Sequence, residues 1–429
     1  MIFAFYFFAA ASVFLGWKSL RNGVAYLEFF KREINKPESD FAPFVSIIAP
    51  CRGLDADLEA NLNALFRQDF PSYEIVFVVG DERDEAASVI KKLINRRDDG
   101  EAQREGKSEK NLHLKNSAST GRLCGENLLS AKLLVAGATE NESQKIHNLR
   151  RAVAEVSERS EVFVFVDSDT RPDKGWLQNL ITPLEDETVG AATGYRWFVS
   201  KRGNFASQLR AVWNASIASA LGANAKNNFC WGGSTAIRRA TFERLNIREK
   251  WRGALADDYA LMRVLRENSL PIRFVPQCLT ATIEDCNFRQ MLEFTTRQMK
   301  ITRVYAPHLW LASLVGSFLF AFTFWTGILI LFFASGWHFL LTLALLLIIF
   351  ALGAAKARLR LNAVRLVLKD YENQLNRTSI TQTTLWTITP ILFFYNNLAA
   401  LLSRKIVWRG IGYEMISPTE TRILKRKGG

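Results

Sequence analysis

The residues best suited to chemistry are two carboxylates at the end of an apolar segment in VFVFVDSDTRPDKGW. Asp167 closes that segment, and Asp169 follows two residues later, where the chain leaves a predicted strand. Both carboxylates can then reach one divalent cation, because such ions take hard oxygen ligands. A cation at this place would bind the diphosphate of a nucleotide sugar and neutralise the leaving group. The competing interpretation is an Asp-rich turn after a strand, which is common.

Other polar residues follow neighbouring predicted elements. Asp81 and Asp84 come after an apolar strand in VVGDERDE, where a carboxylate can accept a hydrogen bond from a pyrimidine base. Arg52, after the first strand, suits a loop near a phosphate or a base. Asp257 and Asp258 begin a helix in WRGALADDYAL. An acid there caps the helix or, if it faces an acceptor hydroxyl, takes the proton as a general base.

The elements that would position these residues alternate between short apolar strands and amphipathic helices. Strands are predicted at 44–50, 74–79, 162–167, 189–194 and 272–276, and helices at 56–67, 84–95, 146–158 and 173–182. This alternation predicts an α/β fold with a mostly parallel sheet that is covered on both faces. Ligands of such sheets bind at the carboxyl ends of the strands, so chemistry is expected there. The charged stretch 91–123 is predicted to be a surface insertion.

Long apolar runs at both ends of the chain predict membrane attachment. Residues 2–17 form the first run, and 309–334 and 337–355 form two more. About 20 such residues are needed to cross the hydrocarbon core. The chain is therefore divided into an N-terminal transmembrane anchor with its basic flank, a cytosolic α/β domain, and a C-terminal membrane region with a basic tail, which cover 1–36, 37–305 and 306–429.

Much of the net charge of +13 comes from basic residues that flank the apolar runs. That placement is typical of cytoplasmic flanks and of contacts with anionic headgroups, and no nucleic-acid recognition motif accompanies it. The sequence therefore predicts an integral membrane protein that does not bind nucleic acid. Its soluble domain is expected on the cytosolic face of a bacterial inner membrane or an equivalent membrane.

The segment 384–402 is apolar but contains Pro390 and two asparagines. A full crossing would put the basic tail outside, against the preference of Lys and Arg for the cytoplasmic side. The segment is therefore predicted to be re-entrant or interfacial, with a spanning segment as the alternative. In that arrangement Trp408 and Tyr413 are expected at headgroup level.

The chain resembles the glycosyltransferase family 2 superfold and, more closely, the ceramide glucosyltransferase-like proteins of glycosyltransferase family 21. The similar stretches run from VSIIAPCRGLDADLEANLNALFRQDFPSYEIVFVVGDERDEA through SQKIHNLRRAV and VFVDSDT to CWGGSTAIRRATFE and LADDYAL. The resemblance implies a GT-A (Rossmann-like) domain and a divalent cation, Mg²⁺ or Mn²⁺. It also implies inverting transfer of glucose or a related hexose from a nucleotide sugar, such as a UDP-sugar, to a ceramide-like or hopanoid-like lipid.

The resemblance also implies roles for single residues. Asp84 would contact the nucleotide, with Asp81 as the nearby alternative. Lys145 would lie near the diphosphate together with Asn148. The pair Asp167 and Asp169 would be the motif for the metal and the nucleotide sugar. Asp258 would be the catalytic base, with Asp257 standing where the family usually has Glu.

One motif departs from the family pattern. The final motif, a Gln or Arg followed three residues later by Arg-Trp, appears here as Arg297-Gln298-Met299-Lys300-Ile301. Lys300 lacks the planar fork of Arg, and Ile301 cannot replace the stacking surface of Trp. Arg297 and the nearby Arg303 would still be able to hold the diphosphate.

Two matters stay open at the level of sequence. Trp231, Gly232 and Gly233 fit a tight backbone near the acceptor, yet a Gly pair in a turn is equally plausible. The alternatives to lipid glycosylation are a processive polysaccharide synthase and a catalytically inactive, transferase-like membrane scaffold. The first would need more spanning helices and a better final motif, and the retained acidic positions speak against the second.

Overall fold

The structure, a computed structural model, describes residues 2–37, 39–97 and 128–426. Residues 98–123 of the predicted insertion lie outside this part of the chain. Residues 91–97, the first part of the predicted insertion, belong to a helix that the structure describes over 85–97.

Seven strands of the α/β domain form one mixed sheet. They are β1 Val45–Pro50, β2 Ser72–Val79, β3 Leu128–Val135, β4 Val162–Phe165, β5 Ala191–Val199, β6 Thr235–Arg238 and β7 Ile272–Ile283. Their order is β3-β2-β1-β4-β6-β5-β7, and the first four are parallel. The antiparallel strand β6 lies between β4 and β5, and β5 pairs with β7 in parallel.

The helices account for most of the remaining described residues. They are α1 Ile2–Ile34, α2 Leu58–Leu65, α3 85–97, α4 Gln144–Ala152, α5 Trp176–Ile181, α6 Phe205–Ala218, α7 Arg239–Arg244, α8 Ile247–Lys250, α9 Asp257–Glu267, α10 Phe288–Tyr305, α11 Pro307–Leu331, α12 Gly336–Val367, α13 Glu372–Arg377, α14 Ser379–Thr384 and α15 Thr389–Leu402. Short 3₁₀ turns occupy Thr182–Glu185, Lys369–Tyr371 and Leu385–Thr387.

This architecture confirms the predicted α/β fold with a parallel-rich sheet. All five predicted strands are present, although β5 and β7 continue well past the predicted ends at 194 and 276. The prediction missed β3 and β6. β1 lies between β2 and β4, so the strand order reverses at β1. The loops after β1 and β4 therefore leave a crevice between them, where ligands of such sheets bind.

Three described helices, α1, α11 and α12, are long and apolar enough to cross a membrane. α1 and α12 contain the predicted runs 2–17 and 337–355 and continue past their ends, whereas α11 ends at Leu331, before the predicted end at 334. The next apolar segment is broken: α14 with its following turn meets α15 at an angle of 56°. Pro390 lies in the first turn of α15. Because proline lacks an N–H and clashes with the preceding turn, the helix restarts there.

The basic tail forms a second sheet, which the sequence analysis did not anticipate. Its antiparallel strands are β8 Lys405–Trp408, β9 Ile411–Ser417 and β10 Glu420–Arg426. Alternate apolar side chains of β8 and β9 enter the core of the α/β domain beside Trp251 and Tyr305. The expected headgroup position of Tyr413 is wrong, because its side chain is 2% exposed within this core. Trp408 lines a cavity of the α/β domain instead.

Candidate active site

A cavity of about 760 Å³ lies at the carboxyl ends of β1 and β4. It brings together nine of the residues singled out from the sequence: Arg52, Lys145, Asn148, Asp167, Asp169, Trp231, Asp257, Asp258 and Arg297. These residues come from loops and helices that are far apart in the chain. The strand reversal at β1 explains why Arg52, which follows β1, meets Asp167 and Asp169, which follow β4.

Lys145 is the central cation of the site. Its Nζ lies 2.7 Å from Oδ1 of Asp167 and 2.9 Å from Oδ1 of Asp257. Ser143 begins α4 and fixes this first turn by accepting the N–H of Ile146. Burial disfavours the ammonium group, but the two carboxylates outweigh burial and raise the pKa of Lys145. Lys145 is therefore charged, and it joins the strand-end acid to the acid at the start of α9.

Arg196 on β5 is the second cation against the acidic pair. Its guanidinium lies 3.1 Å from Asp169 and 3.6 Å from Asp167. Burial opposes ionisation of Asp167, yet Lys145 and Arg196 together lower its pKa. Asp167 is thus positioned as a carboxylate, and both acids have a cationic side chain close to them.

Asp167 and Asp169 fit the chemistry of a divalent cation. Oδ1 of Asp169 is buried and has no hydrogen-bond partner in the described part of the chain. Within residues 2–37, 39–97 and 128–426, no cluster of three or more His, Cys, Asp or Glu side chains forms a metal site. A cation here would therefore depend on this pair and on oxygen atoms of a ligand and water. Mg²⁺ is commonly held in that way, by one or two carboxylates plus substrate phosphates.

Asp258 differs from Asp257 in its electrostatic surroundings. Asp257 is 3% exposed and is paired with Lys145, whereas Asp258 forms no ion pair with any residue that the structure describes. Its Oδ1 accepts the N–H of Tyr259 at 2.7 Å, and its Oδ2 accepts the N–H of Gly232 at 3.4 Å. Burial and the neighbouring Asp257 raise the pKa of Asp258 to about 7. The N-cap of α9 is Ala256, so neither acid occupies that capping position.

Gly232 and Gly233 are glycines because the site is packed around them. A Cβ on Gly232 would lie 2.7 Å from Nζ of Lys145 and 2.8 Å from Oδ2 of Asp257. A Cβ on Gly233 would lie 2.2 Å from the ring of Trp231. The two glycines do not line the cavity, but Gly233 leaves room for the ring of Trp231, and Trp231 lines the cavity. The indole in turn lies 4.9 Å from the guanidinium carbon of Arg196.

Two predicted site acids do not line the cavity. Asp81 forms an exposed ion pair with Arg83, at 2.9 Å. Asp84 accepts the N–H of Gly53 at 2.8 Å. Gly53 has a φ of +63°, which favours glycine, so Asp84 fixes the bend that follows Arg52. Asp84 thus contacts the loop that contains Arg52 and Gly53, whereas Asp81 lies at the surface.

The charged cavity residues that the sequence analysis missed include Asp55, Arg196 and Arg409. Arg196 had a local signal, because it is the one charged residue within AATGYRWFV. The predicted strand ended at 194, which left it in no element. Asp55 follows β1 and accepts the hydroxyl of Ser168 at 2.6 Å. Arg409 comes from the second sheet and pairs with Asp55.

The other end of the cavity reaches the candidate membrane helices. Leu309 and Ser313 of α11 and Phe393 of α15 line it. Phe393 stacks on Trp213 of α6 with 4.9 Å between the ring centroids. The cavity is therefore charged where the sheet strands end and largely apolar beside α11 and α15. This arrangement suits a ligand pair in which one member is anionic and the other has an apolar tail.

Residues 5–102 and 127–420 match the family described as glycosyl transferase family 21. The chain belongs to this family. It is similar to ceramide glucosyltransferase 1 of Caenorhabditis elegans, with 24% identity over 258 residues. Those residues are 59% of this chain and 48% of the relative, so the match spans about half of the relative's length.

The solved structures that are similar to this family 21 chain include a mannosyltransferase and a synthase. The mannosyltransferase PcManGT from Pyrobaculum calidifontis, in complex with GDP-Man and Mn²⁺, has 18% identity and a TM-score of 0.44, and the match covers 91% of this chain and 99% of the other. Glucosyl-3-phosphoglycerate synthase from Mycobacterium tuberculosis, with Mn²⁺ and UDP-glucose, has 13% identity and a TM-score of 0.34, covering 61% and 78%. The family assignment confirms the predicted GT-A fold.

The structure explains how this family 21 chain accommodates its altered final motif on α10. Arg297 lines the cavity, where its guanidinium carbon lies 5.6 Å from the ring centroid of Phe294. Ile301 is 5% exposed, and Lys300 donates to the carbonyl of Lys405. Arg303, which was expected near the diphosphate, instead donates to carbonyl groups at the end of α15. Of the basic residues in this motif, Arg297 is thus the one that lines the cavity.

Proposed function

We propose that the chain is an inverting hexosyltransferase that moves glucose or a related hexose from a nucleotide sugar, such as a UDP-sugar, to a hydroxyl group of a ceramide-like or hopanoid-like membrane lipid. One observation carries this proposal. Asp258, a carboxylate without an ion-pair partner among the described residues, faces the same cavity as the paired acids Asp167 and Asp169. That cavity extends to the membrane helices.

Asp258 is the base in this proposal. With a pKa of about 7, it is partly ionised at neutral pH and strong enough to accept a proton from an alcohol as its oxygen attacks. The attacking hydroxyl displaces the nucleoside diphosphate from the sugar in one step, which inverts the anomeric carbon. No covalent intermediate with the enzyme is required, so a single carboxylate at the acceptor side is sufficient. Asp257 cannot take this role as readily, because Lys145 holds its charge.

The cationic residues would bind the donor diphosphate. Arg297 forms no ion pair with a described residue, and burial lowers its pKa to about 10, so an incoming anion would stabilise its charged form. Lys145 lies between Asp167 and Asp257, close to the proposed phosphate position. A divalent cation, Mg²⁺ or Mn²⁺, held by Asp167 and Asp169 would neutralise charge on the departing diphosphate.

The acceptor would reach Asp258 from the bilayer. Leu309, Ser313 and Phe393 line the cavity beside α11 and α15, so a lipid can keep its tail among apolar side chains while its hydroxyl enters the polar end. The positively charged flanks of α1 and α12 support a cytosolic position for the α/β domain. Nucleotide sugars would then be available on the side where the donor site opens.

A direct assay tests the proposal. Detergent-solubilised full-length protein is incubated with a lipid extract, Mn²⁺ and labelled UDP- or GDP-sugars, and the product is identified by mass spectrometry. Transfer of one hexose to a lipid is expected, and the Asp258→Asn variant should form almost none. A polymeric product would identify a processive synthase instead. If the wild-type protein transfers no sugar from any donor, the chain is an inactive scaffold.

A further inference from the structure

The turn between β8 and β9 has an unusual backbone. Trp408 pairs with Ile411, so the turn contains only Arg409 and Gly410, and their φ angles are +50° and +75°. Two-residue turns of this kind need positive φ at both positions and strongly favour Asn-Gly. An arginine is disfavoured there, because its Cβ crowds the backbone in the left-handed region. Residues held in such conformations cluster at functional sites, which makes Arg409 a candidate for a specific role.

The Arg409 side chain lies at the acidic centre of the cavity. It pairs with Asp55 and donates to the carbonyl of Arg52 at 3.2 Å. The other oxygen of Asp55 accepts the hydroxyl of Ser168, which stands between Asp167 and Asp169 in the chain. One carboxylate therefore connects the tip of the hairpin to the loop that would hold the donor. Burial disfavours the charge of Arg409, but Asp55 and the acidic pair outweigh it and raise the pKa.

The hairpin is fixed in place by the core of the α/β domain. Ile411 and Met415 are fully buried, and the hydroxyl of Tyr413 accepts the N–H of Gln144 at 3.2 Å. Gly253 has a φ of +77°, and a Cβ there would lie 2.2 Å from the carbonyl oxygen of Thr419, between β9 and β10. This close packing fixes the tip of the hairpin relative to the cavity.

Trp408 lies next to Arg409 at the tip of the β8–β9 hairpin. Its ring centroid lies 6.0 Å from the guanidinium carbon of Arg297, on the wall of the same cavity. A tryptophan and an arginine from the end of the chain thus stand beside Arg297 on α10. At positions 300 and 301, α10 itself carries a lysine that bonds to β8 and a buried isoleucine.

We propose that Trp408 and Arg409 belong to the donor site, and that Arg409 exchanges Asp55 for the diphosphate of the nucleotide sugar when the donor binds. This inference rests on the proposed function and assigns donor contacts to the second sheet. An arginine suits the task because its planar fork can donate two hydrogen bonds to phosphate oxygens. Trp408 would hold Arg297 beside it. Asp55 keeps the Arg409 side chain in position while the site is empty of donor.

Binding of nucleoside diphosphates to full-length protein in detergent tests this inference. The probes are UDP and GDP with Mn²⁺, and the matching nucleosides serve as ligands without phosphate. Arg409→Asn should weaken binding of the preferred diphosphate about 10- to 100-fold, the usual range for one charged hydrogen-bonding group. Binding of the nucleoside should not change. The thermal unfolding midpoint should stay the same or rise, because Asn-Gly suits this turn better than Arg-Gly.

Two further variants sharpen the comparison. Arg422→Gln removes the same charge from an exposed position on β10 and should bind the diphosphate like the wild type. Arg409→Lys keeps the charge but not the fork, and its affinity should fall between those of the wild type and Arg409→Asn. If Arg409→Asn binds the diphosphate as tightly as the wild type, Arg409 has only a structural role and the inference is overturned. If the wild type binds neither UDP nor GDP, the proposed function and this inference are both wrong.

Discussion

The pH dependence of transfer is the sharpest consequence of the site's electrostatics. Burial and Asp257 raise the pKa of Asp258 to about 7, whereas an ordinary aspartate ionises near 4. The ionised form is the active base, so activity must fall as the pH falls through this value. With a pKa of about 7, roughly a tenth of the carboxylate is ionised at pH 6 and roughly nine tenths at pH 8. The kcat/KM for the acceptor should therefore rise about tenfold across this interval.

Two variants test whether the rise of kcat/KM between pH 6 and pH 8 comes from Asp258. Asp258→Asn should lower kcat/KM about 10²- to 10⁴-fold and leave the residual activity without the inflection near pH 7. Asp257→Asn should shift the inflection to lower pH. Asp257 raises the pKa of Asp258 by repulsion, and its neutralisation also leaves Lys145 with one carboxylate fewer.

The assay is initial-rate transfer to a lipid acceptor between pH 5 and 9, with the donor saturating and the metal fixed. Donor binding by Asp258→Asn, measured as the affinity for a nucleoside diphosphate, should stay near that of the wild type. An inflection near pH 7 that persists in Asp258→Asn would refute the assignment of the base. A collapse of donor affinity with normal residual turnover would make Asp258 a binding residue.

Three other expectations follow from the same geometry. Asp167→Asn or Asp169→Asn should nearly abolish transfer and weaken the dependence of nucleotide binding on Mn²⁺, and unchanged metal titrations in both would exclude the metal assignment. Gly233→Ala should lower activity and destabilise the fold by about 1–3 kcal/mol, because its methyl group would collide with Trp231, while Gly222→Ala, with open space around it, serves as the control in thermal unfolding. A cysteine introduced at Glu420 should resist an impermeant reagent added outside sealed, correctly oriented vesicles.

The part of the site that was predictable is the part encoded locally. Asp167 and Asp169 follow a strand of uninterrupted apolar residues, and Asp257 and Asp258 begin an amphipathic helix. The period of the hydrophobic pattern identifies both elements, and the ends of parallel strands share one edge. These rules place Asp167 and Asp169 at the ligand-binding edge of the sheet, whereas Asp257 is joined to them by the distant contact with Lys145.

The missed residues depend on contacts between distant parts of the chain. Arg409 reaches Asp55 across more than 350 positions, and no local pattern connects a hairpin turn to a loop after the first strand. The tail was interpreted by its charge, which hid the alternation of Ile411, Tyr413 and Met415 on one face of β9. That alternation has the period of a half-buried strand, but its partner surface beside Trp251 is formed only by the folded domain.

The contacts of the segment 379–402 bear on how the chain passes through the membrane. Near its start, Thr381 donates to the side chain of Gln208 on α6 at 2.9 Å. At its end, the carbonyl groups of Ala400 and Leu401 accept hydrogen bonds from Arg303 on α10 at 2.6 and 2.9 Å. Both ends of the bent segment therefore contact the α/β domain. A helix of this kind would have to separate its ends by the thickness of the bilayer to span it. We infer that the segment enters the membrane and returns, so that α11 and α12 carry the chain out and back, and the second sheet can join the site on the side where the α/β domain lies.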